Sequence, residues 1–128
     1  MKKIVKVFIV FFCCFLIVGC NDNNTKVGVT MINKDQVIDY MNDGAILIDV
    51  RTKEEFASGN IEGSINIDVN DILSSNGLIY KGAKKIDTNS VVIVYCRSGN
   101  RSSQAANKLL ELGYTNVYDF GSIDNWSN

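Results

Sequence analysis

Cys96 heads the run Cys96-Arg97-Ser98-Gly99-Asn100-Arg101-Ser102, directly after the apolar stretch Val91-Val92-Ile93-Val94-Tyr95. A thiol followed by a short polar loop with one glycine and two arginines suits an activated sulfur nucleophile. Successive backbone N–H groups in such a loop can turn toward one point, and with the dipole of a following helix they form an anion-binding nest. A sulfur at its centre is held as thiolate, the reactive form. This route needs no imidazole, and the chain contains no histidine. Cys–His dyads, Ser–His–Asp triads and most zinc chemistry are therefore excluded. The bland alternative for Cys96 is a small buried hydrophobe ending a core strand. Six polar or glycine residues with two arginines, Arg97 to Ser102, are a poor way to close a core.

The neighbouring charges have simpler readings. Arg97 is as well explained by a solvated side chain as by an anion contact. Arg101 is expected to pair with Asp49 across adjacent strand ends and so fix the shape of the loop. Asp49, with Arg51 two residues on, is thus a loop brace rather than an acid–base group. Glu54 and Glu55 read as charges capping a first helical turn, and Trp126 as a hydrophobic lid.

These residues need a scaffold, and the chain alternates strand and helix signals. Asn33 with Gln36 is a capping-box variant opening a helix whose apolar stripe is Val37, Ile38 and Met41, ending before Gly44. Ala45 to Val50 is a strand-length apolar run. Thr52 with Glu55 caps a short helix carrying Phe56 and Ala57 inward. Ile65-Asn66-Ile67 alternates as a short strand, and Asp71 to Ser75 suits another short helix. Between Asn76 and Ser90 the turn residues are clear, but the middle reads as hairpin or helix. Val91 to Tyr95 is apolar throughout, the mark of a strand buried on both faces. A helix is expected from Ser102 to Leu112, ended by Gly113, and a last strand at Val117-Tyr118. This order means an open α/β sheet with helices on both faces. In such sheets ligands bind outside the carboxyl ends of the strands, where both Cys96 and Asp49 fall.

The amino terminus is different in kind. Lys2, Lys3 and Lys6 precede an unbroken apolar run from Val7 to Gly19, ending at Cys20. This is the basic-then-apolar pattern of a secretory signal, shorter than the roughly 20 apolar residues of a membrane span. Leu16-Ile17-Val18-Gly19-Cys20 resembles the lipobox of bacterial lipoproteins. That resemblance implies cleavage after residue 19, lipidation of Cys20 and an extracytoplasmic domain anchored to a bacterial membrane. Residues 20–30 form a tether and 31–128 one domain. Cys13 and Cys14 leave with the signal and Cys20 is blocked, so Cys96 is the remaining thiol. The full chain carries 13 basic and 14 acidic residues, and nothing in that balance points to nucleic acid.

Three blocks together resemble the single-domain rhodanese sulfurtransferases: Asp49-Val50-Arg51-Thr52-Lys53-Glu54-Glu55-Phe56, Gly59 to Ile67, and Cys96 to Ser102. The resemblance covers about Met31 to Trp126. It implies a five-stranded parallel sheet, a persulfide carried on Cys96, and a loop from Arg97 through Ser98, Gly99 and Asn100 to Arg101 that cradles the outer sulfur. It implies small sulfur anions (thiosulfate or persulfides) as donors, an external thiol or cyanide as acceptor, a monomer, and neither cofactor nor metal. Two departures stand out: Asn60-Ile61-Glu62-Gly63 where the family usually has His-Ile-Pro-Gly, and Gly121-Ser122 in place of Gly-Gly. Two other readings compete. A persulfide carrier or sensor would share every residue of the motif. A phosphatase or arsenate reductase of this fold needs Cys-x5-Arg to enclose a tetrahedral oxyanion, whereas the spacing here is Cys-x4-Arg, with Ser102 at the longer position.

Overall fold

The structure is a computed structural model and describes residues 28–77 and 79–128. The expected signal segment 1–19, with Cys13 and Cys14, the lipidation residue Cys20 and tether residues 20–27 lie outside the described residues. From Thr30 onward the elements are β1 (Thr30–Met31), α1 (Lys34–Asn42), β2 (Ile46–Asp49), α2 (Lys53–Ser58), β3 (Ile65–Asn66) and α3 (Val69–Leu73). Then follow β4 (Tyr80–Lys81), β5 (Lys84–Lys85), β6 (Val91–Cys96), α4 (Asn100–Glu111), β7 (Asn116–Ser122) and a closing 3₁₀ turn (Ile123–Trp126).

Five strands form one sheet in the order β1-β7-β6-β2-β3, every neighbouring pair parallel. This is the open α/β sheet expected, with β6 at its centre. Side chains of a strand alternate between faces, and both faces here are covered. Val92, Val94 and Cys96 of β6 join Ile48 of β2 in a core completed by Ile72 of α3 and Leu109 of α4. Ile93 and Tyr95 join Leu47 on the opposite face, with Val37 of α1 and Phe120. Double-sided burial explains why β6 is apolar without alternation.

The helices start where side chains satisfy their free N–H groups. Asn33 and Gln36 exchange backbone bonds at α1, and Thr52 and Glu55 do so at α2. Several expectations need correction. Ile38 is exposed, and the stripe of α1 is completed by Tyr40, whose ring stacks on Tyr118 at 4.7 Å. Of the two residues expected inward on α2, Phe56 is half-buried but Ala57 is exposed. The short helix begins at Val69, two residues early, because Asp68 caps it. The ambiguous stretch holds an antiparallel hairpin, β4–β5. α4 begins at Asn100 rather than Ser102, and β7 runs on to Ser122.

The extension of β7 contains a β-bulge. Val94 pairs with Asp119 but Tyr95 pairs with Gly121, so Phe120 is the extra residue. Gly121 takes φ +77°, and its N–H donates to the Asp119 carboxylate at 2.8 Å. The bulge bends the end of β7 toward the loop after β6.

Candidate active site

Cys96 is the last residue of β6 and is fully buried. Three residues on, Gly99 adopts the left-handed conformation, φ +93°, and becomes the N-cap of α4. An L side chain is strained at that angle. The turn brings the Gly99 N–H back onto the sulfur, N to Sγ 3.0 Å. The Ser102 hydroxyl donates to the Gly99 carbonyl at 3.1 Å and holds the same peptide from the helix side. Burial of Cys96 matches the bland reading, but its sulfur accepts a main-chain N–H at the start of a 12-residue helix. The sulfur therefore sits at the positive end of the α4 peptide dipoles.

The end of β7 forms the other wall. Gly121 Cα lies 3.7 Å from where a Gly99 side chain would begin, so the two glycines let two backbones touch. The Ser122 hydroxyl donates to the Arg97 carbonyl at 2.5 Å. The residue standing where the family usually has a second glycine therefore pins the loop. Asp119 beneath it is almost completely buried. Burial pushes its carboxyl above the ordinary aspartate range, with the Gly121 N–H pulling the other way.

Arg101 does not pair with Asp49. Its guanidinium meets Glu55 end-on, Nη1 to Oε2 2.7 Å and Nη2 to Oε1 3.0 Å. Both Asp49 oxygens are already taken by Arg51, whose Nε lies 3.0 and 3.1 Å away and whose Nη2 lies 2.7 Å away; the Arg51 N–H adds 2.9 Å. Arg51 also donates to the Gly59 carbonyl at 2.6 Å. Asp49 and Arg51 thus brace the end of α2, and α2 presents Glu55 to the loop. Glu55 does more than cap: the Arg101 guanidinium, followed by the Thr52 N–H, lowers its carboxyl from 4.5 to about 2. Glu55 in turn raises the Arg101 guanidinium, with smaller electrostatic contributions from Cys96 and Asp49. Glu54 carries only an exposed contact with Lys53.

Of the other loop residues, Arg97, Ser98 and Asn100 are exposed. The Asn60–Gly63 departure is held by Tyr95, whose hydroxyl accepts the Ile61 N–H at 3.1 Å. Trp126 covers Phe120 edge-on at 6.0 Å, with Lys34 Nζ 5.4 Å from its ring centre. Sequence reading missed Glu55 as the partner of Arg101, Asp119 and Ser102 beneath the loop, and the grip of Ser122. The departure Gly121-Ser122 was the one available signal.

Against protein families, residues 33–128 match the model described as Rhodanese-like domain. The chain belongs to the rhodanese family. A rhodanese domain-containing protein of Drosophila melanogaster is 38% identical over 106 residues, covering 76% of this chain and 96% of that protein. The adenylyltransferase and sulfurtransferase UBA4 of Meyerozyma guilliermondii is 36% identical over 106 residues, 77% of this chain. This rhodanese chain spans only 25% of that protein's length. Among solved structures, the human single-domain sulfurtransferase TSTD1 superposes with a TM-score of 0.68 at 28% identity, covering 78% of this chain and 96% of that one.

Proposed function

We propose that this rhodanese domain is a sulfurtransferase that moves sulfane sulfur from thiosulfate or a persulfide to an external thiol or cyanide by way of a Cys96 persulfide. The observation that carries the reading is the Gly99 N–H donated to Cys96 Sγ at the start of α4. In the first step the Cys96 thiolate attacks the outer sulfur of thiosulfate. A Cys96 S–S bond forms, the S–S bond of thiosulfate breaks, and sulfite leaves with the electron pair. In the second step the acceptor's nucleophile attacks the outer sulfur and Cys96 departs as thiolate. No net oxidation or reduction of the protein occurs. One difficult transfer becomes two easier ones, and a preset N–H donor serves the negative charge in both. Cys96 is the last of four cysteines, the other three lying at or before residue 20. With the signal segment removed and Cys20 blocked by lipid, no second thiol is left to resolve the persulfide, and the acceptor comes from outside.

Intact-mass spectrometry of the full chain after incubation with thiosulfate tests the proposal. The expected result is a gain of one sulfur atom, removable by reductant and absent in Cys96→Ser. Steady-state transfer from thiosulfate to cyanide then separates an enzyme from a carrier, which would give one stoichiometric burst and stop. No mass gain with thiosulfate, glutathione persulfide or polysulfide would overturn the reading.

We further propose that the domain is held outside the cytoplasm on a bacterial membrane by lipid on Cys20. What supports this is the basic, apolar and small-residue order of Lys2 to Cys20. Membrane fractionation of Cys20→Ser against the unaltered chain tests it: the variant should leave the membrane fraction.

A further inference from the structure

The strongest unassigned feature lies at the amino end of the sheet, away from Cys96. There the β4–β5 hairpin turns through Lys81-Gly82-Ala83-Lys84. Its base is fixed by Tyr114, whose hydroxyl accepts the Ile79 N–H at 3.0 Å and donates to the Ile86 carbonyl at 2.7 Å. Ile79 and Ile86 also bond to each other, 3.0 Å. On this platform Lys81, Lys84 and Lys85 are all exposed, and none lies within ion-pair distance of a carboxylate among the described residues. The three lysines line a cavity of about 500 Å³ together with Ile46, Leu47, Ile65, Asp87 and Ser90.

The domain as a whole has the opposite charge. Residues 28–128 hold 9 lysines and arginines against 13 acidic residues, 9 − 13 = −4. A third of that positive charge sits on one hairpin. An anionic surface would repel the net charge of this domain and attract the lysine cluster. The topology indicates which surface. All five strands are parallel, so Gly28, where the chain enters the domain before β1, lies at the same end of the sheet as Ile46 and the hairpin. Cys96 lies at the other end.

We propose that the lysine hairpin is a phosphate-binding face that docks the domain on an anionic phospholipid bilayer, with Cys96 turned toward the aqueous phase. The proposal deepens the lipid-anchor reading, since the anchor would deliver the chain to the bilayer at that same end. Basic residues near an anionic leaflet strengthen attachment by about fivefold each, and salt screens the effect.

The full chain is placed in vesicles of phosphatidylcholine alone or with roughly one-third phosphatidylglycerol. Its lysines are then acetylated and followed by mass spectrometry. Lys81, Lys84 and Lys85 should react about tenfold more slowly on the anionic vesicles, and about 0.5 M salt should abolish the difference. Lys53, on α2, should react equally on both. Equal labelling of the hairpin on the two vesicles overturns the proposal. So does protection by inorganic phosphate on neutral vesicles matching that by phosphatidylglycerol, which would make this a site for free anions. The mass of the mature chain reads the lipid on Cys20 separately. An acylated chain with an unprotected hairpin sinks the docking face alone. An unacylated chain whose hairpin is still protected sinks the anchor and leaves the face standing.

Discussion

The Glu55 carboxylate accepts from the Thr52 cap and from the Arg101 guanidinium at once, so one titration governs both a helix start and the loop beside Cys96. Its folded value of about 2 lies below the ordinary 4.5. A depressed carboxylate adds stability that is fully present above the unfolded value and is lost as pH falls from 4.5 toward 2. Guanidinium unfolding midpoints measured across that window should fall more steeply for the unaltered chain than for Glu55→Gln. Parallel curves would show that the pair contributes nothing. Asp119 has the opposite sign. Its carboxyl is raised by burial, so ionising it opposes folding as pH climbs above about 3.8. Asp119→Asn keeps the shape and the acceptor for the Gly121 N–H. The variant should therefore gain on the unaltered chain as pH rises from 3 to 7, read from the same midpoints. Gly99→Ala tests the sulfur itself. A side chain at φ +93° is strained by about 1–2 kcal/mol and would meet Gly121 at 3.7 Å. Persulfide formation on Cys96 should slow by at least tenfold while the Asp49–Arg51 brace persists.

At the scale of elements, the legible parts are those whose signal is local. The Asn33–Gln36 and Thr52–Glu55 boxes announce α1 and α2 because a cap is built from residues three apart. β6 is legible because burial on both faces leaves no alternation. What escaped depends on distant partners. β1 is two residues long and exists only through its register with β7. The sequence signal for β7 covers only Val117-Tyr118, whereas the strand runs on through a bulge to Ser122. Residue type and strand position point Arg101 to Asp49 and leave Glu55 as a helix cap, whereas the folded chain pairs Arg101 with Glu55. Occupation of Asp49 by Arg51 decides it. The hairpin β4–β5 rests on Tyr114, a residue from beyond α4. Tyr114→Phe leaves the Ile79 N–H and the Ile86 carbonyl without their hydroxyl partner. It should cost about 1–3 kcal/mol and open a trypsin site at the hairpin lysines. An unchanged cleavage pattern would mean that Ile79 and Ile86 hold the hairpin alone.

Over the whole molecule, the sheet separates two tasks. Its carboxyl end holds the thiol, the bulge and the Arg101–Glu55 pair, and its amino end holds the chain entry and the lysine hairpin. The two apolar cores between them are built from alternating residues of the same strands. Leu109→Ala, in the core under α4, should cost about 2–5 kcal/mol by chemical denaturation and weaken the helix that caps the sulfur loop. A loss under 1 kcal/mol would mean that the core repacks. The pairing of Thr30 with Tyr118 has a consequence for biogenesis. The first strand cannot find its place until the last one has been made, so the sheet closes by joining its first and last strands. Such non-local closure is slow. A nascent chain cut short anywhere before Asn116 would expose one long side of β6 and stay an aggregation-prone intermediate, which makes synthesis of β7 the checkpoint for folding.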